Sequence, residues 1–506
     1  MLSAVSKGGG MGKSQVNRRD VLLESLSAAA VVSIPFKEAF ASDLAAVTRT
    51  QGETTLTRAE LKEFADSLTL ALLRPGSPRY DSARKIWNGI WDHKRPALIA
   101  QCVDANDVIN AVNFARTHDL LVAVRGGGHS ISGMSVCDGG LVIDLSPMRT
   151  VLTDLSTKTV RVGAGALLSD LDRETQSYGL VVPAGVVSHT GVAGLTLGGG
   201  IGRLMRMYGL TIDSLLAVDI VTADGQLRRA SKDENPDLFW GVRGGGGNFG
   251  VVTAFEFQAH TFGPTYIGGG ILYSMEHAKD ALDFSFELSA NAPDTLGINA
   301  GMTMTEDGIA AAIIAITYVG DESKAERVLQ PLRNFGRELA DVTRKTNYVE
   351  QQSGGDARNS HGRLYYIKGR HINDYDPRSL DVLMERWGPA PGRFTTMRIV
   401  RFGGAVSRVD NDATAWPHRQ AMWDMEVGGH WTNPDLSEEY VQWGRDYWDA
   451  LEPYTEKEFY VNELMDEEQD QVSESYGKNY RRLVELKNKY DPTNLFRLNA
   501  NIEPTV

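Results

Sequence analysis

A histidine behind a run of glycines is the first feature with chemical promise: Arg125-Gly126-Gly127-Gly128-His129-Ser130. Two more dense glycine clusters follow at 198–202 and 244–250, in a chain with 52 glycines against 18 prolines. Clustered glycine lets the backbone take positive φ or approach another group closely. A bulky flat ligand meets that description, and so does a set of tight turns. Near the C-terminus, Tyr460-Val-Asn462-Glu463 places a phenol, an amide and a carboxyl within four residues. Glu463 has the chemistry of a general base. Strand alternation that turned it outward would leave it a surface group. Arg398 and Arg401 precede Gly403-Gly404 on one apolar strand. Arginine is a poor base, but either could hold a carboxylate or phenolate substrate, or lie on the surface. Tyr365, Tyr366 and Lys368 are further candidates on another strand.

Other chemistries find no support. No HExxH, G-x-S-x-G or paired Cys-x-x-Cys occurs, so no metal ligand set is expected and zinc proteases and α/β-hydrolases are disfavoured. Gly245-x-Gly247-x-x-Gly250 fits the dinucleotide fingerprint as a string. That fingerprint needs a strand before it and a helix after it. Here a short helical piece (236–240) precedes and a strand (251–257) follows, so a Rossmann site is not expected, although the amides could still form a phosphate nest. A formal charge of −13 without a basic block argues against nucleic acid. Two cysteines, Cys102 and Cys137, allow one disulfide, but a core of this size needs no staple and free thiols are expected.

These groups need elements to position them. At 506 residues the chain is expected to hold more than one domain. Leu61, Phe64, Leu68 and Leu72 have helical spacing over 57–73, behind Thr57 and Glu60 in a capping box. Residues 96–103 read as a strand, Asp104 caps a helix over 105–118, and a second strand (120–124) runs into the glycine-histidine loop, a βαβ unit. Residues 141–145, 160–162, 216–221 and 251–257 supply further strands. Beyond 264 the texture is antiparallel: strands at 268–272, 297–304, 310–318 and 395–402 alternate with helical stretches at 276–290, 322–340 and 376–387. The tail is helical from 470 to 489 and then extended.

Residues 1–41 read as an export signal. Arg18-Arg19 precedes a modest apolar run, 22–36, that ends at Ala39-Phe40-Ala41, an A-x-A cleavage site. Paired arginines before such a run resemble a twin-arginine signal, which implies a periplasmic or secreted protein. No later stretch is apolar and long enough to span a membrane.

Taken in order, the motifs carry a resemblance. They are Arg125-Gly-Gly-Gly-His129-Ser130, Val142-Ile-Asp144-Leu-Ser-Pro-Met148, Pro183-Ala-Gly185, Gly198-Gly-Gly-Ile-Gly202 with Arg203, Gly209-Leu-Thr-Ile-Asp213, and the run from Asp237 through Trp240 and Arg243 to Asn248-Phe249-Gly250. Tyr460-Val-Asn462 and Tyr490-Asp-Pro-Thr-Asn-Leu-Phe496-Arg-Leu-Asn499-Ala-Asn501 complete the series. From about 57 to 506 the chain resembles the berberine-bridge-enzyme-like FAD-linked oxidases of the vanillyl-alcohol-oxidase superfamily.

The resemblance implies an α+β architecture: a PCMH-type two-subdomain FAD-binding domain over 57–263, a substrate domain over 264–455 whose antiparallel sheet is covered by helices, and a C-terminal segment, 456–506, returning to the first. It assigns His129 the bond to the flavin 8α-methyl group. Arg125, Gly126, Gly127, Gly128, Ser130 and Gly133 join it as FAD-binding residues. Gly185, Gly191, Gly198, Gly199 and Gly202 form a second patch, and Asn248, Gly250, Val252, Asn499 and Asn501 a third. Many relatives add a linking cysteine eleven residues before the glycine triplet; Val187 stands there, so a single bond is expected. Tyr460, Asn462, Glu463 and Arg401 are the implied catalytic candidates. The implied reaction oxidises an alcohol, sugar hemiacetal, amine or phenolic metabolite by hydride transfer to flavin N5, with O2 as acceptor. A dehydrogenase feeding a quinone or protein, and a flavin carrier without turnover, are the competing readings.

Overall fold

The strand Leu98–Gln101 opens the first of three larger sheets. Leu98, Ile99 and Ala100 are all fully buried, as suits a strand covered on both faces. The Asp104 carboxylate then accepts hydrogen bonds from the amides of Asn106 and Asp107 at 2.8 and 3.0 Å, starting the helix Ala105–Thr117. That helix buries Val108, Ala111, Val112 and Ala115 and returns the chain to the strand Val122–Arg125. The crossover makes the two strands parallel but not neighbours. Leu141–Asp144 lies between them, parallel to both, and Ala71–Leu73 adds an antiparallel edge. The helix expected over 57–73 ends at Asp66. The capping box of Thr57 and Glu60 forms, Ser67 closes the helix, and Ala71–Leu73 becomes that edge strand. Leu68 and Leu72 kept helical spacing across the boundary only because both are buried.

The structure, a computed structural model, describes residues 42–263, 265–305, 308–392, 394–465 and 469–506. The export signal expected at 1–41 lies outside the described residues. Among the described residues no helix is long and apolar enough to cross a membrane.

The second sheet has five antiparallel strands, in the order Leu227–Ser231, Leu215–Val221, Val251–Gln258, Thr159–Gly163 and Val151–Asp154. The third has eight. Its path runs Glu338–Asp341, Thr265–Ser274, Ala310–Tyr318, Leu296–Met304, Thr395–Arg401, Trp423–Trp431 and Leu364–Ile372, with Arg344–Asn347 also paired to Thr265–Ser274. Helices Ala278–Ala290, Ala325–Phe335, Arg378–Trp387 and Ser437–Leu451 cover one face of it. Met397, Ile399, Met425 and Val427 point into that layer against Leu380, Leu383 and Tyr447. Because side chains alternate, the intervening residues line the opposite face. The strand over 423–431 and the helix over 437–451 have no counterpart in the sequence reading. All residues of that strand but Glu426 are buried, so no period-2 pattern marks it.

The C-terminal segment ties the sheets together. Backbone bonds link Glu456 and Glu458 to His371 on the edge strand (2.8 and 3.2 Å). The helix Tyr480–Tyr490 then packs against Pro236–Val242, and the last residues reach Asn248.

Candidate active site

The strand Val122–Arg125 delivers the first glycine loop. Gly128 takes φ +67°, which an L side chain rarely adopts. Gly127 lies so close to Gly191 that a Cβ on either would overlap the other's backbone. This pair is what lets the loop at 126–129 and the loop at 185–191 touch. His129 follows, with Nε2 3.2 Å from Nδ1 of His189 and its ring stacked on Trp87 at 4.3 Å. Trp87 in turn stacks on Tyr365 of the large sheet at 3.7 Å. Burial, followed by the neighbouring His189 and His361, holds His129 well below the ordinary imidazole value, so the ring is neutral. Ser130 Oγ accepts from the Met134 amide, and Gly133, at φ +70°, turns the chain beneath Trp91.

The second and third clusters meet the C-terminal segment. A Cβ on Gly198 would occupy the place of the Asn462 side chain, and one on Gly202 that of the Ala184 carbonyl next to Gly185. Gly199 lies under Trp416 and Tyr460. The Tyr460 hydroxyl accepts hydrogen bonds from the Gly200 amide (3.0 Å) and Asn462 Nδ2 (2.6 Å), and burial pushes its phenol up to about 12. Asn248 is fully buried. Its Nδ2 donates to the carbonyls of Gly245 and Ala500, and its Oδ1 accepts from the Ile502 amide. Gly250 opens the strand in which Val252 pairs with Ile220.

Several polar atoms along these patches are left over. Arg125 Nε, His189 Nε2, Asn499 Oδ1 and Asn501 Oδ1 are buried without a hydrogen-bond partner among the described residues. A side chain on Gly194 or Gly247 would meet open space. Buried polar atoms normally find partners. Unsatisfied donors and acceptors beside uncovered glycines fit a flat, polar group such as FAD.

Glu463 lies on the other side of the Tyr460 turn. Tyr460-Val461-Asn462-Glu463 forms a short 3-10 turn, not a strand, and the turn carries Glu463 inward to 5% exposure. It sits over Gly369, where any side chain would overlap its Oε2. Gly369 belongs to a rung of three residues across the large sheet: Gly369, Glu426 and Arg398. Arg398 donates to Glu426 at 2.6 Å and to Glu463 Oε1 at 3.4 Å, and Oε2 has no hydrogen-bond partner among the described residues. Burial first, then the charges of Asp424 and Glu426, raise Glu463 well above the ordinary carboxyl range; Arg398 opposes them. A cavity of about 140 Å³ opens on this face, lined among others by Thr303, Tyr365, Ile367, Thr396, Glu426 and His430.

Arg401 is placed elsewhere. Three residues from Arg398 on the same strand, it points to the helix-covered face and donates to the carbonyls of Ser289 and Met422, with its guanidinium over Trp423. It is thus away from Glu463, and the arginine beside Glu463 is Arg398, already engaged by two carboxyls. Of the other sheet candidates, Tyr365 lines the cavity, whereas Tyr366 and Lys368 fall on Arg401's face. Cys102 and Cys137 are both buried free thiols, and Cys137 packs in the core beside Val142 and Ala123.

Residues 96–231 match the family model described as FAD binding domain, and residues 459–503 match the one described as berberine and berberine like. A FAD-linked oxidoreductase of Dictyostelium discoideum is 31% identical over 447 residues, covering 88% of this chain and 97% of that one. The chain belongs to the berberine-bridge-enzyme-like FAD-linked oxidoreductases. The (R)-6-hydroxynicotine oxidase of Paenarthrobacter nicotinovorans is 30% identical over 451 residues, covering 86% of this chain and 96% of its own. The crystal structure of 6-hydroxy-D-nicotine oxidase from Arthrobacter nicotinovorans superposes with a TM-score of 0.77 at 28% identity, over 86% of this chain and 98% of that one.

For this FAD-linked oxidoreductase, sequence reasoning missed His189, Trp87, Glu426 and Asp424. His189 sits two residues beyond Val187 in a segment already singled out, so an ionisable group there was a signal. Trp87 and the two acids reach their partners only through tertiary contacts and strand register.

Proposed function

We propose that this oxidoreductase carries FAD bonded covalently to His129 and oxidises a small organic substrate in the cavity beside Glu426, with Glu463 as general base and O2 as electron acceptor. FAD, when bound, supplies the hydride acceptor. The protein's own residues do the rest. His129 is neutral, so one ring nitrogen keeps a lone pair for the attachment. Val187 leaves no second thiol in that loop, and one bond is the expected number. Asn462 and Tyr460 brace the turn on the Gly198–Gly200 backbone. Glu463, ionised, takes the proton of a substrate O–H or N–H, while Arg398 keeps that carboxylate from being isolated.

The observation that carries the reading is Glu463 itself: a carboxyl buried to 5% exposure, with one oxygen lacking a hydrogen-bond partner among the described residues, over a rung of ionisable groups. Arg398 is committed to two acids, which disfavours anionic substrates. Alcohols, sugar hemiacetals, amines and phenols remain, and two of the relatives named above are oxidases of 6-hydroxynicotine. The test is a screen of those classes on purified yellow protein, following flavin bleaching without air and peroxide release in air. Bleaching without peroxide would replace O2 by another acceptor, and no bleaching by any class would remove the enzyme reading. The paired arginines at 18–19 support export through the twin-arginine route. Arg18→Lys with Arg19→Lys should hold the precursor inside the cell.

A further inference from the structure

The rung beside Gly369–Glu426–Arg398 carries an acid–base pair that the mechanism above leaves idle. Asp424 faces His371 on one neighbouring strand and Val400 on the other. Its side chain is fully buried, and its Oδ1 lies 3.2 Å from His371 Nδ1. The His371 ring, 1% exposed, rests against that of His418 with centroids 4.3 Å apart. Rungs two residues apart share a face of the sheet and are spaced by about 7 Å. The segment that carries Glu463 is fixed to the same strand, because Glu456 and Glu458 bond to the backbone of His371. Asp424 therefore lies one rung from the Gly369–Glu426 pair over which Glu463 sits.

We propose that Asp424, buried beside His371, is a positioning residue that keeps the proton on Glu463 in the resting site. Every ionisable group facing Glu463 enters the balance. Arg398 comes from Thr395–Arg401, Glu426 and Asp424 from Trp423–Trp431, His371 from Leu364–Ile372, His418 from the preceding loop, and Tyr460 from the turn itself. Arg398 is the one cation among them and is shared with Glu426 at 2.6 Å. A negative charge at Asp424 thus faces Glu463 within the buried interior with little compensation, and like charge disfavours a second anion. The repulsion of Asp424 follows burial as the largest influence raising Glu463. Loss of the Asp424 carboxyl should let Glu463 ionise at lower pH.

This inference rests on the reading of Glu463 as the base, and one experiment separates the two. The infrared carbonyl band of protonated carboxyls is titrated in the FAD-loaded protein. Each protein is referenced to its own Glu463→Gln variant, which cancels Asp172, a buried carboxyl pushed up to about 8. The wild-type difference should show a band that fades with rising pH. In Asp424→Asn its midpoint should fall by about one unit. A wild-type difference without such a band would sink the Glu463 reading. A band that belongs to Glu463 but keeps its midpoint in Asp424→Asn would overturn the present inference alone. If Asp424→Asn does not fold, an unmoved midpoint in Asp424→Ser overturns it equally.

Discussion

Around His129 the chain is held by backbone; around Glu463 it is held by charge. The loop at 126–129 touches Gly191 main chain to main chain, Gly198 and Gly202 leave no room for a Cβ, and His129 is kept neutral. The Glu463 turn instead lies on a rung where Arg398 bridges two carboxyls and a third, Asp424, stands on the next rung. The difference suits the two tasks proposed above. A group attached once and kept needs a rigid bed with close approach. A group that gains and loses a proton needs neighbours whose charges balance closely.

The comparison breaks most sharply at the two named residues. His129→Ala should abolish acid-stable flavin altogether, read as loss of in-gel fluorescence from denatured protein, while FAD held without a bond can still tint the native sample. Fluorescent denatured His129→Ala would place the bond elsewhere. Glu463→Gln should slow anaerobic flavin reduction by roughly 10²–10⁴-fold and leave the absorbance spectrum intact. In the wild type the same rate should climb with pH, because a base must be ionised and burial has raised Glu463 above the usual carboxyl range. The climb should vanish in Glu463→Gln. A flat wild-type profile through neutral pH would argue that the proton goes to another group.

The backbone side of this contrast was legible in the sequence, and the charged side was not. Glycine is forced where φ is positive or where main chains touch, so the motif at 126–128 announces its own geometry. Strands such as Ala310–Tyr318 were visible because apolar runs end at turn residues. Glu463 was visible as an ionisable group, but its partners lie on strands 37 to 94 residues away in sequence (Glu426, Asp424, Arg398, Gly369), and register is a tertiary property. The turn at 460–463 also defeated the alternation argument, since it is not a strand. Arg398 and Arg401 could have been separated by parity alone, because odd spacing on a strand means opposite faces.

A smaller effect is expected where the two sides meet. Lys487 and Asp491 form a fully buried ion pair at 2.8 Å; Lys487 also donates to the Asn248 and Phe496 carbonyls, and Asp491 accepts from the Leu495 and Phe496 amides. The pair fastens the C-terminal segment to the third glycine cluster. Asp491→Ala strands a buried ammonium, which typically costs about 3–5 kcal/mol. Urea unfolding should show the loss, and flavin in the native protein should become easier to release. Wild-type stability in this variant would mean that the segment is held by packing alone.

The smallest effect provides the control. Thr57 and Glu60 cap a helix remote from both sites: the Thr57 amide donates to Glu60 Oε2 at 2.8 Å and the Glu60 amide to Thr57 Oγ1 at 3.3 Å. Thr57→Ala should cost about 1 kcal/mol and change neither flavin attachment nor its reduction. Its pH dependence is fixed in sign. Hydrogen bonds from the Thr57 backbone and hydroxyl hold the Glu60 carboxyl below its ordinary value of 4.5. A carboxyl depressed in the folded state stabilises above its unfolded value, and that contribution is lost as pH falls through the folded one. The gap between wild type and Thr57→Ala should therefore narrow toward acid. An unchanged gap would mean that the threonine hydroxyl alone caps this helix, and a change in flavin reduction would mean that stability at the N-terminal edge reaches the active site.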